Sequence, residues 1–364
     1  MKEGTNLHEN NNFMAQAKSR TKFLRRQPVN RRVMIALLPC VAGSIHFFGW
    51  RCLFILIWSA LVGFIVEFIF SRQRGEPVSE AVFVTSTIFA LIMPPTVPLH
   101  VLTIGVAFAV AFAKEVFGGF GRNIFNPAMA GRCFVYICFP IALTAAWAPV
   151  SKGQLGALAK WTTAQNKDAI TSATPMAHLK AGRIVLQNKI SENTFKQIPA
   201  EIIEGQVVNV TRRTFYHALV FGQISGTMGV TSALLILTGG IYLFWTKTAS
   251  RTIILTLVIT YAVLNQVLYA FGVEPVPGAL PAVLGGGFLF GAFFMATDPV
   301  SAPRTEPAKV IYAVLIGVFA TIIRNFSIFN GGLMFAVLIG NMFAPILDYA
   351  VKARKSGKAA GGAN

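Results

Sequence analysis

The sequence predicts an all-α polytopic membrane protein, with about ten transmembrane helices in two inverted five-helix repeats that contain broken helices. Three observations lead there. Hydrophobic residues make up 54% of the 364 positions and charged residues only 13%, too apolar a balance for a water-soluble domain. Apolar stretches of about 18 residues or more recur, each long enough to cross a hydrocarbon core of roughly 30 Å as a helix. A polar string interrupts the apolar pattern once in each half, rich in Gly, Asn and Pro in the first and carrying Asp and Pro in the second.

In chain order, residues 1–32 form a basic arm with Lys18, Arg20, Lys22, Arg25, Arg26, Arg31 and Arg32. The first half, 33–149, holds spans at about 33–50, 52–70, 82–98, 100–117 and 131–149. Residues 150–227 are a long polar loop. The second half, 228–350, holds spans at about 228–246, 252–271, 279–297, 309–324 and 331–350. A basic tail, 351–364, carries Lys352, Arg354, Lys355 and Lys358.

Charge sets the orientation. With the arm in the cytoplasm, alternation puts Arg72, Arg74, Arg122, Lys247, Arg251, Arg304, Lys309 and the tail on the same side, leaving Arg51 and Arg324 in short outer loops. The expectation is an inner-membrane protein with both termini cytoplasmic and the 150–227 loop outside. That loop is also basic, but loops beyond about 60 residues cross largely regardless of charge. The net charge of +18 is therefore an orientation signal and not a nucleic-acid footprint. The polar, basic N-terminus shows no cleavable signal peptide. Cys40, Cys52, Cys133 and Cys138 form no CxxC pair, and the five histidines are scattered; neither set predicts a haem or metal site.

The first interruption is Gly118-Gly119-Phe120-Gly121-Arg122-Asn123-Ile124-Phe125-Asn126-Pro127. Its glycines permit unusual backbone angles, Pro127 suits the first turn of a helix, and Asn123 and Asn126 offer amide donors and acceptors. The second is Ala296-Thr297-Asp298-Pro299-Val300-Ser301, where Thr297 or Asp298 is expected to cap a helix beginning at Pro299. Asp298, Glu80, Glu115 and Asp348 are acids near span ends and are candidates for function. Glu67 reads as an acid snorkelling toward Arg72. Val84-Thr85-Ser86 and Val230-Thr231-Ser232 form a short echo between the halves. In the long loop, Asp168-Ala169-Ile170-Thr171-Ser172-Ala173-Thr174-Pro175 reads as an exposed turn of small and hydroxyl residues.

Taken together, several strings resemble the family that unites the NqrB component of the sodium-pumping NADH:quinone reductase with the RnfD component of the Rnf complex. They are Phe83-Val84-Thr85-Ser86 to Met93-Pro94-Pro95, Lys114-Glu115-Val116-Phe117-Gly118-Gly119 to Gly131-Arg132, the Thr174 loop, Met295 to Ser301, and Ala344-Pro345-Ile346-Leu347-Asp348. The resemblance implies FMN esterified through its phosphate to Thr174 by a flavin transferase, with Asp168, Thr171, Ser172 and Ala173 completing the attachment motif. Ser172 stands where the family often has Gly. It also implies riboflavin near Asn123 and Asn126, and Glu80, Asp298 and Asp348 as acids of a Na+ pathway. In addition it implies partner subunits of a membrane redox complex and electrons passing toward quinone. The family often has Gly-Glu before the sixth span; here Gly229 is followed by Val230, so that acid has no counterpart. The strings around Asp298 and Asp348 favour the quinone-reductase branch, while the short first hairpin and Thr174-Pro175 look more like Rnf. A cofactor-free solute channel or transporter is the rival of another class, and it has no use for the Asp168–Thr174 motif.

Overall fold

The computed structural model of the chain describes residues 23–144, 148, 150–151, 156–158, 161, 180, 184–187, 208–327 and 331–361. A short strand β1 (Leu24–Arg25) leads into α1 (Pro28–Phe48), which turns at Gly49 into α2 (Trp50–Arg74). Strand β2 (Val78–Ser79) pairs in parallel with β1, Leu24 opposite Val78 and Arg25 opposite Ser79, so the N-terminal arm is pinned to the α2–α3 connection. There follow α3 (Ala81–Leu91), α4 (Leu99–Val110), a π-helical turn (Ala111–Glu115), α5 (Pro127–Cys138) and α6 (Pro140–Thr144). In the long loop, β3 (Ile184–Gln187) and β4 (Val208–Thr211) pair in parallel, and α7 (Arg212–Phe221) packs on them. The second half comprises α8 (Ala233–Trp245), α9 (Arg251–Ala270), α10 (Ala279–Leu284), α11 (Phe288–Phe294), α12 (Glu306–Phe326) and α13 (Gly332–Gly361). The described residues are thus mostly helical, and two strand pairs among them depart from the all-α expectation.

The long helices are sorted for lipid. On α2 the exposed residues Ile57, Leu61, Ile65 and Ile69 recur at i, i+4, while Ser59, Gly63, Glu67 and Ser71 are buried. On α9 the outward stripe is Leu255, Ile259, Val263 and Val267, with Tyr261 and Asn265 inside. An apolar exterior around an interior of small and polar groups is the arrangement a bilayer selects. Among the described residues, five helices are long and apolar enough to cross a membrane: α1, α2, α9, α12 and Gly332–Lys355 of α13.

The remaining expected spans are shorter or broken, several for a clear local reason. The third stops as a helix at Leu91 and continues through 92–97 as buried irregular chain, because Pro94 and Pro95 lack N–H donors. The sixth begins irregularly and becomes helical only at Ala233, where Ser232 Oγ accepts from the Leu235 N–H. The two irregular stretches satisfy each other: the Met228 N–H donates to Met93 O at 3.0 Å and the Gly229 N–H to Leu91 O at 2.7 Å. Non-helical backbone at membrane depth is tolerable only when paired inside protein in this way. Val84-Thr85-Ser86 therefore lies within a helix and Val230-Thr231-Ser232 before one, so the sequence echo does not mark equivalent positions. The eighth span breaks at Gly285–Gly287, with Gly286 and Gly287 at φ 59° and 75°. Arg324, expected in an outer loop, instead sits buried on α12 and donates to Ala282 O (3.5 Å) and Gly285 O (3.0 Å), carbonyls at the break.

The two halves are held together by close approach of α8 to α1. A Cβ on Gly239 would lie 2.0 Å from the backbone oxygen of Ala36. Gly239→Ala is expected to force these helices apart, destabilising the fold by about 1–3 kcal/mol. The check is thermal unfolding in detergent; a variant as stable as the wild type would show that this contact is dispensable.

Candidate functional site

The two sequence interruptions meet in the interior. Gly118, Gly119 and Gly121 take φ values of 99°, 89° and 92°, which other residues rarely adopt, and they carry the chain from the π turn back to α5. Asn126 caps α5, accepting from the Met129 N–H (3.3 Å), and Pro127 is the first helical residue as expected. Its amide nitrogen reaches the other half and donates to Met295 O (3.3 Å). Asn123 makes a local bond to Phe125 O (2.9 Å).

At the second interruption no helix starts at Pro299. Residues 297–305 form turns, and Asp298 caps the first of them, accepting from the Val300 N–H (3.3 Å) and Ser301 Oγ (2.8 Å). The expected helix begins later, at Glu306. Asn341 of α13 joins both interruptions, its amide lying 2.8 Å from Ser301 Oγ and 3.2 Å from the Asn126 backbone nitrogen.

Two cavities flank this junction. The inner one, beside the start of α1 at Val29 and Asn30, has a volume of about 70 Å³ and is lined also by Thr85, Lys114, Asn123, Asn126 and Asp298 among others. The outer one, beside Lys180 and Ile224, is roomier at about 160 Å³ and is faced by Arg132, Lys180 and Arg324. One helix walls both: Pro127 and Ala128 of α5 face the inner cavity, Met129, Arg132 and Tyr136 the outer.

The structure separates the acids that the sequence grouped. Asp298 lines the inner cavity. Glu80 precedes α3 and is held by Arg31 (2.5 Å) and by the Gln27 N–H (2.6 Å). The Arg31 guanidinium draws its carboxyl below the usual range against the opposing effect of burial. Asp348 touches neither cavity; it accepts from the Arg304 and Thr305 N–H groups (2.8 and 2.9 Å) and so caps the start of α12. Glu67 does not snorkel toward Arg72. It is buried, paired with Lys114 (2.5 Å), and it accepts from the Ser79 N–H and hydroxyl. Glu115 beside it is also buried and pairs with Arg74. Asp168, Thr171, Ser172, Ala173 and Thr174 lie outside the described residues.

This arrangement lies inside a known sequence family. The model of the NQR2, RnfD, RnfE family matches residues 19–357. The chain belongs to that family. Its similarity extends to the B subunit of the Na(+)-translocating NADH-quinone reductase of Pseudoalteromonas atlantica, 35% identical over 86% of this chain and 70% of the relative. The protein of the same name from Ectopseudomonas mendocina is 36% identical over 80% of this chain, which spans 64% of it. That of Pseudomonas aeruginosa is 33% identical over 87% of this chain and 72% of the relative. The family match takes in every residue that lines the two cavities.

Sequence reasoning passed over the roles of Arg132, Lys114 and Arg324. Their signal was present, since each is a cation within or at the end of an apolar span, where an ionisable residue is a functional candidate by default. What was missing was the partner of each, which only folding supplies.

Proposed function

We propose that this family member is the flavin-carrying membrane subunit of an ion-translocating redox complex of the Na+-translocating NADH:quinone reductase type. In this reading Thr174 carries FMN as a phosphoester installed by a flavin transferase, and riboflavin binds near Asn123 and Asn126. Electrons from partner subunits pass through both flavins toward quinone, coupled to Na+ movement through the inner membrane. The ten segments form two inverted five-helix halves, with the termini cytoplasmic and the long loop outside. The single observation that carries the reading is the family match over residues 19–357. The relatives named above share one name, which favours this branch over Rnf. Two cavities along α5 support it further, since they offer room for two cofactors in series.

The side chains fit such cofactors. Asn123 and Asn126 line the inner cavity, and the outer cavity combines cations with Tyr136, Tyr261 and Phe290. Lys180, six positions after Thr174 in the sequence, faces the outer cavity. Bound flavin supplies one- and two-electron chemistry; the chain binds the ring, excludes water and supplies the surrounding charge. Asp298, with Thr297 and Ser301 beside it, presents the oxygen donors that a hard cation prefers.

Asp298→Asn keeps the shape and removes the charge. In the assembled complex it is expected to raise the Na+ concentration for half-maximal quinone reduction about tenfold, the loss of one charge-assisted interaction. Unchanged Na+ dependence would remove Asp298 from the pathway.

A further inference from the structure

Arg132, Lys180 and Arg324 face the outer cavity, and no carboxylate is among its lining residues. Two of these cations are already engaged. Lys180 Nζ donates to Arg324 O (3.1 Å) and to Ser327 O. The Arg324 guanidinium is spent on Ala282 O and Gly285 O and lies over the Tyr261 ring at 5.5 Å. Arg132 differs. Its Nε is buried without a hydrogen-bond partner, and among the described residues it makes no ion pair.

A buried donor without a partner is rare, because it forfeits its hydration. Such a group persists where a ligand completes it. The rest of the cavity narrows the ligand class. Tyr136, Tyr261, Phe290 and Met295 give it an aromatic and thioether lining, the kind of surface an aromatic ring packs against, and Thr227 and Thr231 also belong to the lining. A small inorganic anion would leave that lining unused.

We propose that Arg132 is a specificity-determining residue of the outer cavity, selecting the reduced, negatively charged flavin ring over the neutral oxidised one. The proposal rests on the reading that Thr174 carries FMN. The charge balance is simple: uptake of two electrons and one proton leaves the ring with one negative charge. In a titration the electrons come from dithionite and the proton from water. A permanently charged guanidinium then favours the reduced form, while engaged Lys180 and Arg324 contribute only background potential. Loss of one charge-assisted hydrogen bond should weaken the preference about tenfold to a hundredfold. For a two-electron couple that is a fall in midpoint potential of about 30 to 60 mV.

The test uses the full chain, co-expressed with a flavin transferase and purified in detergent. In-gel fluorescence first establishes that flavin is attached, and a dithionite titration followed by absorbance then gives the midpoint potential. Arg132→Gln is expected to retain the flavin and lower the potential by that amount. Arg132→Lys, which keeps the charge, should recover more than half of the difference. If Arg132→Gln does not fold, Arg132→Met removes the same charge while keeping an aliphatic stem suited to a membrane interior. A flavinylated neutral variant with the wild-type potential would overturn the role of Arg132 and leave the Thr174 reading intact. A wild-type chain without flavin, made with a transferase active on another substrate, would overturn both.

Discussion

Thr174→Ala is expected to abolish the flavin fluorescence of the denatured chain on a gel, while the amount of membrane-inserted protein stays at the wild-type level. A phosphoester needs the hydroxyl oxygen, so alanine removes the bond completely and no partial signal should remain. By sequence the position belongs to the long polar loop and not to an apolar span, so insertion is not expected to suffer. The functional consequence follows from effective concentration. A tether of a few residues holds a cofactor near its site at millimolar levels whatever its redox state, whereas a free flavin would be lost to the bulk. Dissolved FMN added to Thr174→Ala should therefore restore quinone reduction poorly. A fluorescent alanine variant would move the attachment to another residue. A dark wild type with a demonstrably active transferase would leave the cofactor-free channel as the better account of the fold.

Lys114→Met should be among the most destabilising substitutions in the membrane half. Lys114 and Glu67 are both about 2% exposed or less, and their ion pair is closed by the Ser79 hydroxyl, which accepts from Lys114 (2.8 Å) and donates to Glu67 (2.6 Å). Removing one partner strands the other charge, a loss of about 3–5 kcal/mol for buried pairs. Lys114 lies in the π turn, where it and its neighbour Glu115 are both buried. Thermal unfolding in detergent should show Lys114→Met well below the wild type, with Glu67→Gln added to it recovering more than half of the loss. A double variant no better than the single one would mean that the lysine stem, and not the charge pair, carries the stability.

Much of this was legible in the amino-acid order. The apolar runs located the membrane-spanning stretches of the five long helices to within five residues, because hydropathy and length are read directly from the order of side chains. Asn126-Pro127 announced the start of α5 because capping is local. Asp298-Pro299 announced a helix start by the same rule and misled, since Asp298 caps a turn and the helix waits for Glu306, whose preceding residues Asp348 caps from α13. Glu67 was misread for a similar reason: nothing near it in sequence reveals a lysine 47 positions away. The Val-Thr-Ser echo compared letters where only backbone partners could decide equivalence.

Composition and local chemistry were enough to establish a multi-span membrane protein and to mark where its backbone breaks, since hydrophobicity, glycine and proline act on their immediate neighbours; the family was legible only in the resemblance of its motif strings. Folding in three dimensions was needed to bring the two breaks together, to set α5 as the wall of two separate cavities, and to leave Arg132 Nε without a partner while Lys180 and Arg324 are engaged. Those outcomes depend on groups distant in sequence and brought within about 3 Å, the range over which a hydrogen bond is made or withheld.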